Sequence, residues 1–231
     1  MDYQIEIPKL LIIAQKRSGS HFLQDSIKCA SLTGVTFLNY LKDGGSTNPV
    51  DPNLYRKNNG IGDLSIQFLR YHNFSTEDPN LVQWLAFSDY LIHQSPKIVV
   101  LGRKDRFMHA LTDWFGSQVF DRGVKQKNPH KVWTKYRENI LKDYQIDDDK
   151  FAYYFLRANV FYRFFPSLYS GYEHKCHFIF YEDFDNIENV VVGISEFAGF
   201  DVGTGNYPVW QSADYSMMPG FKKLREQYAN P

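Results

Sequence analysis

The chain has 231 residues, of which 43% are hydrophobic and 23% charged, enough apolar surface to offset the entropy of ordering and to exclude an extended disordered protein. Lys plus Arg equals Asp plus Glu at 26 each, which excludes a basic surface spread over the whole molecule for nucleic acid, so any anion must be held locally. Cys29 and Cys176 lie far apart without CxxC spacing, and no apolar run approaches the roughly 18 to 20 residues of a membrane span, so a zinc ribbon, a disulfide scaffold and a spanning helix are not expected. With no signal-peptide pattern at the N-terminus, reduced thiols and a cytoplasmic location are the expectation.

Lys9 to Ala14 is a continuous apolar run, as expected of a parallel strand covered on both faces. From Ser20 the spacing turns helical, with Leu23, Ile27 and Ala30 on one face and Gly34 placed to stop the helix. Val35 to Leu38 and Ser65 to Tyr71 read as strands, separated by a Gly/Asn/Pro-rich surface loop from Asp43 to Gly62. Asp78-Pro79 supplies an N-cap and a first-turn proline for a helix striped by Leu81, Trp84, Leu85, Ser88, Leu91 and Ile92, and Pro96 ends it. Lys97 to Gly102 is a β-branched strand, after which Phe107, Met108, Leu111, Phe115 and Gln118 take up helical spacing. Gly123 to His130 is a polar connection, and Asp147-Asp148-Asp149 opens a long helix with Phe151, Tyr154, Phe155, Ala158, Tyr162, Phe165 and Tyr169 on one stripe. His177 to Tyr181 is a last strand, followed by a helix carrying Ile187, Val190, Val191, Ile194, Phe197 and Ala198.

About five strands alternating with helices predict βαβ units. The expected fold is α/β, a single-domain three-layer sandwich over residues 1–231 with a parallel sheet and helices on both faces. Ligands then belong at the carboxyl ends of the strands, in the loops after Ala14, Tyr71, Gly102 and Tyr181.

The first of these loops reads Gln15-Lys16-Arg17-Ser18-Gly19-Ser20-His21. A glycine flanked by hydroxyls at a helix start lets N–H and O–H groups converge on a phosphate, the helix dipole favours the anion, and Arg17 adds a fixed charge. GxxxxGK[ST] is absent, which disfavours an ordinary ATPase or nucleotide kinase. HExxH, paired His and Cys clusters are absent too, so no metal is expected.

Strand, Lys16-Arg17-Ser18-Gly19-Ser20, helix resembles the donor-binding loop of the sulfotransferase family. The resemblance implies that this loop holds the 5′-phosphosulfate end of the nucleotide donor PAPS, with Arg17 stabilising charge on the leaving oxygen; His21 stands where Thr is usual. Val100-Leu101-Gly102-Arg103-Lys104-Asp105-Arg106, followed by Ala110-Leu111-Thr112, resembles the family's strand, Arg and helix Ser that grip the 3′-phosphate, in a form close to bacterial trehalose-type members. The usual Arg-to-Ser offset fits Arg103 with Leu111, which lacks a hydroxyl, or Lys104 with Thr112; Arg103 and Thr112 are taken as the pair. Phe180-Tyr181-Glu182-Asp183-Phe184, with Phe197-Ala198-Gly199-Phe200 downstream, resembles the family's Tyr-Glu-Asp-Leu strand end and Phe-Leu-Gly helix end, which implies Tyr181 beside the adenine.

The family resemblance implies a P-loop NTPase-like enzyme that moves a sulfuryl group from PAPS to a hydroxyl or amine of a small-molecule or carbohydrate acceptor, leaving PAP. His72 closes its strand much as Lys-Thr-His does in cytosolic members, and is the candidate general base, with Asp43 in reserve. His93 precedes a strand, at the opposite edge from the expected site, and is set aside. Lys222, Lys223 and Arg225 are either tail cations for the 3′-phosphate or a solvated helix face, and Trp210 either stacks on adenine or packs in the core. Segments 43–62 and 116–148 are the expected acceptor loops. Two other readings stand beside this one: an atypical P-loop small-molecule kinase, and a catalytically degenerate nucleotide-binding protein, the latter supported by His21, Leu111 and Asn39.

Overall fold

A computed structural model describes residues 7–15, 17–32, 35–38, 64–71, 81–121, 141–142, 145–209 and 214–228. Short apolar runs bounded by polar turns become strands β1 (Leu10–Gln15), β2 (Val35–Leu38), β3 (Leu64–Tyr71), β4 (Ile98–Gly102) and β5 (Cys176–Phe180). Segments with helical spacing become α1 (Ser20–Ala30), α2 (Leu81–Gln94), α3 (Arg106–Asp121), α4 (Asp148–Tyr169), α5 (Ile187–Ala198) and α6 (Phe221–Tyr228).

The strands form one five-stranded sheet in the order β2-β3-β1-β4-β5, and every pairing is parallel. Central β1 shows no polar alternation because all six of its residues are buried. Leu10, Ile12 and Ala14 share one sheet face with Ile66, Val99 and Ile179, and that face packs on Leu23 and Ile27 of α1 and Val191 and Ile194 of α5. Burying each such side chain contributes about 2 kcal/mol. On the opposite face Leu11, Ile13, Leu69 and Ile98 are equally buried, so both faces are covered, as a three-layer α/β architecture requires.

Two compact units divide the chain, Met1–Lys104 with Pro166–Trp210, and Asp105–Phe165 with Gln211–Pro231. The first holds the whole sheet with α1, α2 and α5. The second has its own core, in which Leu111, Trp114 and Phe115 of α3 cluster with Phe151 and Ala158 of α4 and Leu224 of α6. An ion pair between Asp113 and Arg157 links α3 to α4 there, and Asp147 Oδ1 caps α4 by accepting the Lys150 N–H at 3.1 Å.

Several boundaries differ from the sequence expectation. Helix α1 stops at Ala30 rather than at Gly34, because the Leu32 and Gly203 N–H groups bond Asp201 and Ala30 carbonyls across a bridge between Ser31 and Val202. Strand β5 ends at Phe180, and Tyr181 opens a 3₁₀ turn running to Asn186, because Asp183 Oδ2 accepts the Phe180 N–H at 3.0 Å and folds the chain back. Residues Gly116–Asp121 of the expected acceptor loop 116–148 belong to α3. The loop 43–62 and the N-cap Asp78-Pro79 lie outside the described residues. Among the described residues no helix is long and apolar enough to cross a membrane.

Candidate active site

In the order β2-β3-β1-β4-β5 the chain leaves β1 toward one side of the sheet and leaves β4 toward the other. A crevice at the carboxyl ends of β1 and β4 is where an open α/β sheet binds ligands. The turns that meet there are those after Gln15 and Gly102, and both belong to the first compact unit.

The turn after β1 is tight for a local reason. Ser18 uses its backbone N–H at 3.1 Å and its hydroxyl at 2.5 Å on the Gln15 carbonyl. Closing the chain over so few atoms drives Arg17 into the left-handed region at φ 66°, the sole non-glycine residue there among those described. That conformation costs about 1 kcal/mol in a residue with a Cβ. Gly19 follows with φ 83°, and Leu23 N–H to Gly19 C=O is the first bond of the α1 ladder. The N–H groups of Ser20, His21 and Phe22 precede that bond, at the positive end of a helix whose first turn carries no acidic residue. Ser18 and Ser20 are buried, while His21 is exposed. Ser18 therefore builds the turn with both of its donors, a role that the Ser-Gly-Ser motif does not distinguish from ligand binding.

The turn after β4 meets the same place. Arg103 is 6% exposed, and its Nη1 donates to the Arg17 carbonyl at 3.3 Å. Its guanidinium lies over the Tyr181 ring, 3.8 Å from the centroid. Burial pushes the Tyr181 phenol above its ordinary pKa, with the Arg103 charge pulling the other way. Register supplies these neighbours, since Gly102 pairs with Phe180 and so sets residues 103–104 beside residues 181–183. Phe184 and Tyr181 also press on Gly19, where a Cβ would meet Phe184 Cε2 at 2.7 Å and Tyr181 Cδ2 at 3.1 Å. The turn after β1, residues 103–104 after β4 and the segment after β5 thus converge on one sheet end within one unit, whereas Asp105–Thr112 of the second motif belong to the other unit.

The sequence missed two features here. Glu182 and Asp183 bond the residues after β4: Glu182 Oε2 accepts the Lys104 N–H at 2.9 Å, and Asp183 Oδ1 pairs with Lys104 Nζ at 2.8 Å. The readable signal was a basic pair after one strand and an acidic pair after the next. Gln15, at the end of β1, is buried and its Oε1 has no hydrogen-bond partner among the described residues.

Other expected residues fall elsewhere. Lys16, Asp43, His72 and Trp210 lie outside the described residues. Thr112 belongs to the second unit, where its hydroxyl donates to the His109 carbonyl at 2.9 Å. Of the tail cations, Lys223 pairs with Asp148 at 3.1 Å and Arg225 with Asp105 at 2.8 Å, both within the second unit. His93 sits at the end of α2 with its Nδ1 2.8 Å from the Tyr172 hydroxyl, in a structural role. Among the described residues no group of three or more His, Cys, Asp or Glu is placed to hold a metal ion.

No family model matches the chain and no curated protein matches it. Among solved structures it is similar to mouse sulfotransferase SULT7A1, crystallised with PAP, at 16% identity and a TM-score of 0.43. The match covers 86% of this chain and 62% of that one, so the chain spans less than two thirds of that protein's length.

Proposed function

We propose that the chain is a sulfotransferase that takes a sulfuryl group from PAPS and places it on a hydroxyl or amine of a small-molecule or carbohydrate acceptor. The observation that carries this reading is the Arg103 bond to the Arg17 carbonyl, which holds two guanidinium-bearing turns together at the switch point of the sheet. A nucleotide with anionic groups at two positions suits that arrangement better than a single phosphate does.

The donor set fits such a nucleotide. Arg17 and the N-terminus of α1 offer positive charge and N–H groups to the 5′ end, and Arg103 offers a fork of donors to the 3′-phosphate. Gln15 Oε1 is an acceptor and so suits a hydroxyl or N–H of the bound molecules rather than a phosphate oxygen. PAPS supplies the activated sulfuryl group, whose S–O bond to the 5′-phosphate breaks as a bond to the acceptor oxygen or nitrogen forms. Arg17 stabilises the charge that develops on the departing phosphate, and the turn that fixes its backbone prepays the orientation. His72, one residue past β3, takes the acceptor proton.

The test is mass spectrometry of products after incubation with PAPS and a panel of alcohols, amines and sugars. Wild type yields products 80 Da heavier than the acceptor, the mass of SO₃, and Arg17→Ala lowers transfer by about a hundredfold or more while staying folded. Full transfer by that variant, or phosphorylated products from ATP with PAPS inert, contradicts the proposal; the second outcome favours a kinase.

A further inference from the structure

We propose that the solvent-facing strip of α4 is a self-association surface, on which a second copy of this chain docks antiparallel about a two-fold axis.

Helix α4 is apolar on two opposite faces. Phe151, Ala158 and Phe165 are buried on one. On the other, Tyr153, Leu156 and Val160 are 59%, 65% and 58% exposed. Their spacing is that of heptad a and d positions, continued by Asp149 before them and by Arg163 and Ser167 after, so all six lie on one narrow strip of the helix. A helix that is apolar on all sides is ordinarily covered on all sides, and contiguous exposed apolar side chains mark an interaction surface.

The charges along this strip identify what covers it. Lys150 is matched by Asp147 at 3.0 Å, Arg157 by Asp113, and Asp148 by Lys223 at 3.1 Å. Asp149 and Arg163 are exposed and have no ion-pair partner among the described residues. They carry opposite charges and stand at opposite ends of the apolar residues. An anionic lipid surface calls for a basic border of one sign, which matched cations and a free acid do not supply. A second α4 laid parallel sets Arg163 against Arg163, whereas one turned end for end brings each Arg163 toward the other copy's Asp149.

In antiparallel helix pairs a positions face d positions. Leu156 then meets Val160 of the second copy, and Tyr153 meets Arg163, whose stem packs on the ring while its guanidinium reaches Asp149 one turn further along. The two-fold axis makes every contact twice. Pro166 has no N–H to offer the Tyr162 carbonyl, which limits the regular part of the strip to about three turns. Such a contact buries less than the roughly 1,200 Å² of a stable interface, so the expected dissociation constant is on the order of 10 µM.

Sedimentation velocity of the full chain between about 1 and about 200 µM reads the association. Wild type is expected to show a monomer–dimer equilibrium, and Leu156→Asp, which alters an exposed side chain away from the buried face, to weaken it by about thirtyfold or more with unchanged circular dichroism. Arg163→Glu and Asp149→Lys are each expected to weaken it by about tenfold, and the double variant to associate more tightly than either single one. A wild type that is monomeric at about 200 µM, a Leu156→Asp dimer as tight as wild type, or charge losses that add in the double variant overturns the proposal. So does flotation of a monomeric wild type with phosphatidylserine vesicles, which assigns the strip to a lipid surface.

Discussion

Gly19 lies so close beneath Phe184 that a Cβ at this position would stand 2.7 Å from Cε2 of the ring. The left-handed turn at the head of α1 is therefore held from above by the 3₁₀ segment after β5, as well as from within by Ser18. Gly19→Ala combines a clash with an unfavourable φ, and is expected to lower stability by about 2 kcal/mol or more, read from urea unfolding. PAP affinity should fall with it. A variant as stable as wild type would show that Phe184 yields without cost and does not fix the turn.

The two cysteines should differ sharply as nucleophiles. Cys29 is exposed on α1, whereas Cys176 is half-buried, donates from Sγ to the Tyr172 carbonyl at 3.2 Å, and has its pKa pushed up to about 11 by burial. At pH 8 the Cys176 thiolate is a fraction of about one in a thousand, so a thiol reagent should show one fast reaction, abolished by Cys29→Ser. The second thiol should appear only with denaturant. Two fast reactions in the native protein would contradict the burial of Cys176.

His177 stacks on Phe197 with 5.3 Å between ring centroids, and Lys97 lies 4.8 Å from the same Phe197 ring. Burial lowers the His177 pKa below its ordinary value. Its folded form then binds a proton less well than the unfolded chain, which titrates near about 6.5, so its contribution to stability is complete above that pH and declines as pH falls below it toward the folded pKa. His177→Phe is expected to flatten the loss of stability between pH 7 and pH 5. Denaturant midpoints that fall equally in both proteins over that window would assign the decline to other groups.

The sheet was legible because its signal is local. Ile12 and Ile13 sit in an unbroken apolar run, and a strand buried on both faces has no other appearance. The turn at Arg17 was legible as an anion cradle from its residue types, but the direction of the Ser18 hydroxyl was not, since a serine there bonds a ligand or its own backbone equally well. Gly34 was a reasonable helix stop by propensity, yet the pairing of Ser31 with Val202, far along the chain, ended α1 first. The partnership of Arg103 with Tyr181 and Glu182 depends on the register of β4 with β5, which no local pattern specifies. Likewise Lys223 and Arg225 look available in sequence, and their pairing with Asp148 and Asp105 is a product of tertiary folding.

Calorimetric titration of PAP into the full chain tests the central claim most directly, because it asks whether the joined turns of Arg17 and Arg103 bind a doubly anionic nucleotide. One-to-one binding is expected, tighter than that of ATP, and weakened by about tenfold or more in both Arg17→Ala and Arg103→Ala. Absence of binding by the wild type, or an affinity that neither substitution changes, would contradict it.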